Sequence, residues 1–362
     1  MSGPVVAISE LYAPNIGGQE SRFARFARAL AARGRDVTVY TTDHTGGQLP
    51  REEIDEGVTI RRHVAIPGYL KNGGRSIPGL LRYRRAVREL VAGLPRSGSA
   101  IWVNQMPVVH LGPIAADPRV VVDWCEYPTD WRVNYLSRRA VRRSRWATSV
   151  SLAVASHLGA ISPSTRFDVV RTPVAPAAGA PATREPGTIL FVGRLVAHKN
   201  LGSLASAVKA LAGNGGPHTR LLIAGDGPER ASMERRYGGN GAVRFLGVID
   251  EAEKQRLLRT AWMVAVPGRR EGLPNIAVEA TAHGTPLLAA GAPANSCGDF
   301  IRRHDVGIVA PGSDAAAFRA ALHSVDATRW ERWSKEALET SRLFDPAPNV
   351  DRLDAVLARA AG

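Results

Sequence analysis

The sequence has very little cysteine and no long hydrophobic run. Cys125 and Cys297 are the only cysteines among 362 residues, which excludes a disulfide framework and favours a reducing cytoplasm. No apolar run reaches the length of a membrane-spanning helix. The opening segment MSGPVVAISELYAP lacks a basic stretch and a long apolar stretch, so it predicts a first strand rather than a signal peptide. We therefore expect a cytoplasmic protein, either free or attached peripherally to the inner face of the membrane.

Lysine is also scarce, although the chain is strongly basic. The sequence carries 47 Lys+Arg against 33 Asp+Glu, a net charge of +14, and nearly all of the basic residues are arginines. Residues 1–172 hold 24 basic and 14 acidic residues (+10), and the remainder holds 23 and 19 (+4). Two explanations of the basic charge stay open: a codon bias towards arginine, and attraction to a membrane face or a phosphorylated acceptor. Nucleic acid is not expected, because no helix-turn-helix, zinc or RNA-binding motif accompanies the charge.

Several motifs of metal and cofactor sites are missing. The sequence contains no Asp-x-Asp and no His or Cys pair at zinc spacing. Gly225-Asp226-Gly227 lacks the third glycine of G-x-G-x-x-G, which argues against a nicotinamide dehydrogenase. We expect neither a metal ion nor a bound cofactor.

What the sequence does contain is a repeated alternation of β-branched runs and amphipathic helical stretches, which predicts parallel sheets covered by helices. A Pro-, Ala- and Gly-rich segment, TPVAPAAGAPATREPG, interrupts the alternation and resembles a linker. We predict an α/β protein with two Rossmann-like domains facing each other across a cleft. The predicted parts are an N-terminal domain (1–171), a linker (172–187), a C-terminal domain (188–343) and a terminal helix that packs back on the N-terminal domain (344–362).

Ligands of open parallel sheets bind at the loops that follow the strands. In the second half, Arg194 and Lys199 follow one predicted strand, and the segment EGLPNIAVE (271–279) follows another. Gly272 and Pro274 suit the turn into a helix that begins near Asn275, and a helix start attracts phosphate. Glu271 and Glu279 flank this turn, where carboxylates can accept hydrogen bonds from sugar and ribose hydroxyls. Arg194 and Lys199 would offset their repulsion of a diphosphate.

The spacing E-x₇-E in EGLPNIAVE, continued by ATAHGTP, resembles the retaining GT-B glycosyltransferases of family 4 (group 1). GRLVAHK (193–199), AGDGPE (224–229) and the opening segment 13–41 are similar to that family as well. The resemblance spans both domains and implies a nucleotide-sugar donor in the C-terminal domain and transfer with retention of configuration.

The resemblance also implies roles for individual residues. Arg194 and Lys199 would hold the diphosphate, Glu279 the ribose and Glu271 the transferred sugar. Gly17 and Gly18 would approach the phosphates from the other domain. The remaining donor-binding candidates are Gly272, Leu273, Pro274, Asn275, Asp226 and Gly247.

Departures from the family fall on the acceptor side. Where the family often has a histidine, this chain has Cys125 followed by Glu126, and Asn104 stands at a position that is commonly basic or aromatic. With Glu20, these three residues are the acceptor-side candidates. The arginine-rich stretch 131–146, with Trp131 and Trp146 at its ends, is either a solvated helix or a docking site for anionic lipid.

The sequence thus predicts a metal-independent, retaining transferase that moves a hexosyl-type sugar to an acceptor hydroxyl of a glycolipid precursor or a natural product. A nucleotide-sugar epimerase and a non-catalytic nucleotide-sugar sensor are the alternatives. The nucleotide base, the sugar, the acceptor and the oligomeric state stay open.

Overall fold

The computed structural model describes residues 3–14, 17–71, 74–126, 131–177, 183–213, 219–239 and 241–362. The chain forms two compact units. Unit 1 comprises Met1–Pro173 together with Pro346–Gly362, and unit 2 comprises Val174–Asp345. None of the helices in the described part of the chain has both the length and the apolar character needed to cross a bilayer.

Unit 1 is built on an eight-stranded sheet in which all neighbouring strands are parallel except the edge pair β3 and β4. The strands are β1 (Val5–Ile8), β2 (Val37–Asp43), β3 (Glu52–Asp55), β4 (Val58–Ala65), β7 (Ala100–Asn104), β8 (Val120–Trp124), β9 (Trp146–Ser149) and β10 (Arg166–Val169), and a hairpin adds β5 (Leu70–Lys71) and β6 (Gly74–Arg75). The order across the sheet is β10-β9-β8-β7-β1-β2-β4-β3. The helices of this unit are α1 (Gly18–Ala31), α2 (Ile77–Gly93), α3 (Leu111–Ile114), α4 (Trp131–Arg143), α5 (Leu152–Gly159) and α13 (Pro346–Ala361).

Unit 2 has a six-stranded, fully parallel sheet in the order β13-β12-β11-β14-β16-β18. Its strands are β11 (Glu185–Val192), β12 (Arg220–Ala224), β13 (Val243–Gly247), β14 (Ala261–Val266), β16 (Leu287–Ala289) and β18 (Gly307–Val309), and β15 (Arg270–Glu271) pairs separately with β17 (Ala294–Asn295). Its helices are α6 (Leu201–Gly213), α7 (Arg230–Tyr237), α8 (Glu251–Thr260), α9 (Asn275–Ala282), α10 (Ser296–His304), α11 (Ala315–His323) and α12 (Ala327–Ser341).

The predicted linker is shorter than expected at its C-terminal end. Residues 185–187, which the composition assigned to the linker, form the start of β11, because Glu185 already pairs with Ala261 of β14. Residues 178–182 of the predicted linker, and Asn15 and Ile16 of the segment 13–41, lie outside the described residues.

The terminal helix α13 packs within unit 1. Val350, Leu353 and Leu357 are buried in the same hydrophobic core as the strands and α1. The backbone N–H of Arg171 donates to Asn349 Oδ1 at 3.0 Å. The helix begins at Pro346, and residues Arg342–Phe344, where the sequence places the boundary, form a short 3₁₀ turn at the end of unit 2.

A buried ion pair fixes helix α1 to the sheet of unit 1. Arg22 Nε and Nη2 donate to the two carboxylate oxygens of Asp123 at 2.8 and 2.9 Å, and both side chains are completely buried. Arg22 also donates to the carbonyl of Val170 and to Thr172 Oγ1, and Thr148 Oγ1 donates to Asp123 Oδ1. A buried pair needs such additional partners to offset its desolvation.

His110 should make stability depend on pH. Burial, the largest cause, lowers the pKa of His110 from 6.5 to about 4. The unfolded chain therefore takes up a proton first as pH falls, and folding free energy is lost between pH 6.5 and 4. We expect His110→Phe, which keeps a ring against Tyr83, to remove up to about 2 kcal/mol of the loss measured by urea unfolding between pH 7.5 and 5. If the free energy of unfolding of the variant fell with pH as steeply as that of the parent, the expectation would be contradicted.

Candidate functional site

The carboxyl edge of the unit 2 sheet is formed by glycine-rich loops that approach each other closely. A Cβ on Gly225 would lie 2.0 Å from the carbonyl oxygen of Gly193, and one on Gly227 would lie 2.4 Å from that of Leu195. Both glycines have positive φ, +129° and +159°. The loops after β11 and β12 therefore contact each other through backbone, a packing that leaves no room for side chains between them.

Hydrogen bonds hold the loop after β11 against the loop after β14. The backbone N–H of Arg269 donates to the carbonyl of His198 at 3.0 Å. Asn200 Nδ2 donates to the carbonyls of Pro267 and Ser313 at 3.2 and 2.7 Å. Asn200 adopts the left-handed conformation (φ 53°), which asparagine tolerates better than most residues. These bonds bring Lys199 next to Glu271.

Lys199 and Glu271 form an ion pair. Lys199 Nζ donates to Glu271 Oε1 at 2.7 Å and to Oε2 at 3.0 Å, and the carboxylate is buried. Gly268 permits this position, because a Cβ there would lie 2.5 Å from Glu271 Oε1. The sequence predicts both residues as site residues, but assigns Lys199 to phosphate and Glu271 to sugar, whereas in this structure they bind each other.

Positively charged side chains lie around this pair. The pKa of His198 falls from 6.5 to about 4, first because of burial and then because of the positive charges of Lys199, Arg270 and Arg194. His198 is thus neutral at physiological pH. Arg194 is exposed, and its charge acts on the same loop as that of Lys199, so the two predicted diphosphate ligands lie in one electropositive region.

The segment from Gly272 to Asn275 leads into α9 as predicted from its sequence. Gly272 and Leu273 are buried, Pro274 is the N-cap residue, and the helix runs from Asn275 to Ala282. Gly284, with φ +65°, follows its end. The first N–H groups of a helix have no intrahelical partner, and the dipole makes this end favourable for an anion.

Glu279 has a counter-charge that the sequence did not reveal. Its buried carboxylate lies 2.9 Å from Lys254 Nζ on α8, and Lys254 also pairs with exposed Glu251 at 2.8 Å. The expectation that Arg194 and Lys199 offset both glutamates therefore needs correction, because Lys254 serves Glu279. The scarcity of lysine was an available signal, since Lys254 is one of only five in the chain.

Asn295 is a second residue that the sequence analysis missed. Its buried side chain donates to the carbonyls of Val266 and Gly268 at 3.2 and 2.8 Å and accepts from the backbone of Cys297 at 3.0 Å. Its backbone pairs with that of Glu271. Asn295 therefore positions the loop that carries Glu271.

Asp226 and Gly247 lie at the neighbouring strand ends. Asp226 Oδ1 accepts from the N–H of Gly227 at 2.7 Å, and the backbone N–H of Gly225 donates to the carbonyl of Gly247 at 2.6 Å. Arg230 lies 3.7 Å from Asp226 and faces Gly247. Asp226, a predicted donor-binding residue, thus accepts a hydrogen bond within its own turn in this structure.

In unit 1, the predicted glycines lie at the start of α1. Gly17 is the N-cap residue in extended conformation, and Gly18 is the first residue of the helix. The carboxylate of Glu20 lies over Gly17, because a Cβ there would come within 2.1 Å of Glu20 Oε2. Two candidates, Gly17 and Glu20, therefore form one local structure at the helix start.

The other acceptor-side candidates are held by internal contacts of unit 1. Asn104 is buried, its Oδ1 accepts from Met106 N at 2.7 Å, and its Nδ2 donates to Ser9 Oγ at 3.1 Å, which favours a structural role. Gln105, which the sequence did not single out, binds the backbone of both Cys125 and Glu126.

Cys125 is poorly suited to be a nucleophile. Burial, followed by the charge of Asp123, raises the pKa of its thiol well above the usual value, so the thiolate is disfavoured. Among the described residues, no three His, Cys, Asp or Glu side chains are grouped so that they could hold a metal ion.

Comparisons with known proteins agree with this architecture. The family model "Glycosyl transferases group 1" matches residues 186–325, and "Glycosyl transferase 4-like domain" matches residues 17–180. A 2-deoxystreptamine N-acetyl-D-glucosaminyltransferase from Streptomyces fradiae is 27% identical over 87% of this chain and 84% of that protein. A phosphatidyl-myo-inositol mannosyltransferase from Mycobacterium leprae is 25% identical over 91% and 89%.

The fold has solved counterparts as well. Sucrose-phosphate synthase from Thermosynechococcus elongatus superposes with a TM-score of 0.74 at 19% identity, covering 98% of each chain. Together the two family models cover most of the chain, one in each half. The chain therefore belongs to the group 1 glycosyltransferases and has the GT-B fold.

Proposed function

We propose that this glycosyltransferase moves a hexosyl-type sugar from a nucleoside-diphosphate sugar to an acceptor hydroxyl, with retention of anomeric configuration and without a metal ion. The observation that carries the proposal is the arrangement around α9. A buried carboxylate lies on each side of the helix start, each with its own lysine, and the lysine of Glu271 belongs to the same loop after β11 as Arg194.

This arrangement suits the parts of a nucleotide sugar. The diphosphate would bind at the N-terminus of α9, with Arg194 and Lys199 supplying the positive charge. Glu279 would accept hydrogen bonds from the ribose hydroxyls, and Glu271 from hydroxyls of the transferred sugar. When a donor enters, Lys199 would exchange part of its contact with Glu271 for a phosphate oxygen, which keeps both charges compensated.

The chemistry follows from charge development on the leaving group. The bond between the anomeric carbon and the diphosphate oxygen breaks, negative charge grows on that oxygen, and Lys199 and Arg194 stabilise it. The acceptor oxygen then bonds to the anomeric carbon on the face that the diphosphate leaves. The departing phosphate takes the acceptor proton, so no protein nucleophile is needed.

On this proposal unit 1 binds the acceptor and unit 2 binds the donor. The two relatives act, by their names, on 2-deoxystreptamine and on phosphatidyl-myo-inositol. A natural-product scaffold and a glycolipid precursor are therefore the two acceptor classes to test first.

The direct test is incubation of the purified protein with a panel of nucleotide sugars, with and without candidate acceptors, while released nucleoside diphosphate is measured. Transfer requires release that depends on the acceptor and a product whose new linkage has the donor's configuration by NMR. A donor that changes into another sugar nucleotide without acceptor indicates an epimerase instead. Binding without conversion or release indicates a sensor.

Glu279→Gln tests the ribose contact separately. The change keeps the shape but removes the charge, so we expect the KM for the donor to rise about tenfold, corresponding to the loss of a charge-assisted hydrogen bond, with a smaller change in kcat. Glu251→Gln is a matched control, because Glu251 pairs with the same Lys254 but is exposed. Equal donor KM values in the two variants would contradict the assignment.

A further inference from the structure

Helix α4 of unit 1 exposes large apolar side chains. Trp131 is 72% exposed and Tyr135, one turn later, is 57% exposed. Leu136 is exposed as well, whereas Ser137, Ala140 and Val141 face the interior. Water disfavours apolar groups of this size, and when they lie close together they usually mark a surface that meets a partner.

The same helix is strongly cationic. Its sequence, WRVNYLSRRAVRR, contains no acidic residue, and its arginine side chains are exposed. The contacts of three of them are with neutral groups: Arg138 binds Asn134, Arg139 binds the Tyr135 hydroxyl and Arg143 binds the carbonyl of Gly112. These bonds position the guanidinium groups but do not offset their charge.

Helix α2 presents a second face of the same kind. Ile77 is 73% exposed and Leu81, one turn later, is 56% exposed. Helical spacing places Arg84, Arg85 and Arg88, which are all exposed, on the same side of α2. Glu89, the only acidic residue of this helix, pairs with Arg85 at 2.7 Å, so the face of α2 is less cationic than that of α4.

The two faces belong to one side of unit 1. Both helices pack against the segment 108–114, which contains α3. Helix α4 begins shortly after β8 ends, and the start of α2 is tied to the end of β1 by Arg75, which binds Glu10 with two hydrogen bonds of 2.6 Å. The exposed apolar residues therefore lie in the first turns of both helices, near the carboxyl edge of the sheet.

We propose that the exposed faces of α2 and α4 form a docking surface for an anionic phospholipid bilayer. We call it the α2/α4 surface: Ile77, Leu81, Arg84, Arg85, Arg88, Trp131, Tyr135, Leu136, Arg138, Arg139, Arg142 and Arg143. Tryptophan and tyrosine favour the headgroup region, the aliphatic side chains enter the acyl boundary, and the arginines bind lipid phosphates.

The mixture of apolar and cationic side chains distinguishes this partner from others. A nucleic-acid duplex offers phosphates but little to cover Ile77, Leu81 and Trp131. A second copy of the chain would bring two cationic faces together, and like charges at short range repel. An anionic bilayer supplies both the negative charge and the apolar layer.

The docking surface also specifies an acceptor class, a step that rests on the proposed function. The acceptor-side candidates Cys125 and Glu126 follow β8 at the same carboxyl edge where α2 and α4 begin. A protein docked through these helices holds that edge close to the membrane. The acceptor hydroxyl is then carried by a lipid rather than by a freely diffusing molecule.

The experiment is co-sedimentation of the full chain with sucrose-loaded vesicles of phosphatidylcholine alone or with added phosphatidylglycerol. One variant carries Arg138→Gln, Arg139→Gln, Arg142→Gln and Arg143→Gln, and a second carries Trp131→Ser and Tyr135→Ser. A matched control loses the same charge from exposed arginines of unit 2: Arg235→Gln, Arg244→Gln, Arg303→Gln and Arg319→Gln. Thermal unfolding of every variant verifies that it is folded.

We expect binding to the anionic vesicles only, at least a tenfold loss of affinity in each α4 variant and little loss in the unit 2 control. Equal recovery with both vesicle types overturns the proposal, as does an equal loss in the control. A change of oligomeric state without a change in vesicle binding in the Trp131 variant also overturns it. Acceptor-dependent release of nucleoside diphosphate is measured in parallel, because its absence with intact vesicle binding refutes the proposed function but not the docking surface.

Discussion

We expect Lys199→Ala to lower kcat by about 100- to 1,000-fold, the effect of removing one preorganised group that stabilises charge in the transition state. Lys199 lies in the loop after β11, next to Glu271 and in the same loop as Arg194. The interaction that the substitution removes becomes strong chiefly in the transition state, as the diphosphate departs. We therefore expect kcat to fall more than the affinity for the donor. Steady-state kinetics with the identified donor and acceptor measures both quantities.

The same substitution also leaves the buried Glu271 without its lysine, which lowers stability. Two controls separate these effects. Lys209→Ala removes an exposed lysine from α6 in the same unit and should leave turnover unchanged. Lys199→Arg keeps a cation beside Glu271 and should retain most of the thermal stability. Turnover of the folded Lys199→Ala variant at the parent's level would refute the role of this residue.

The second large effect concerns stability. We expect Arg22→Met to lower the free energy of unfolding by about 3–5 kcal/mol, because it leaves the Asp123 carboxylate buried without a cation. Arg28→Met is a matched control on the same helix, since Arg28 pairs with Asp55 at 2.7 Å but is partly exposed, and it should cost about 0–1 kcal/mol. Urea unfolding of both variants provides the comparison, and similar losses in the two would show that burial does not govern this pair.

Local sequence predicts the parts of the fold that have strong apolar patterns. VVVDW and VRFLG are rich in β-branched and aromatic residues, which favour strands, and both form strands (β8 and β13), while Gly284 follows the end of α9. The segments WATS and RFDV, which form β9 and β10, are short and partly polar, so their local sequence does not indicate a strand. They become strands by pairing with β8 and with each other.

The residues of the site also differ in how far local sequence predicts them. Glu271 and Glu279 can be found from their fixed spacing around the turn into α9. Their lysine partners cannot be deduced from spacing, because Lys199 and Lys254 come from loops and helices that meet only in the folded unit. The Arg22–Asp123 pair joins residues 101 positions apart, and nothing in the local sequence of either indicates the other.

The position of α13 has a consequence for how the protein forms. Because unit 1 consists of Met1–Pro173 and Pro346–Gly362, unit 2 is an insertion within it. During synthesis on the ribosome, all of unit 2 emerges before α13, whose residues Val350, Leu353 and Leu357 complete the unit 1 core. Unit 1 therefore keeps an apolar face uncovered until α13 has been synthesised, whereas the whole of unit 2 is available to fold before that point.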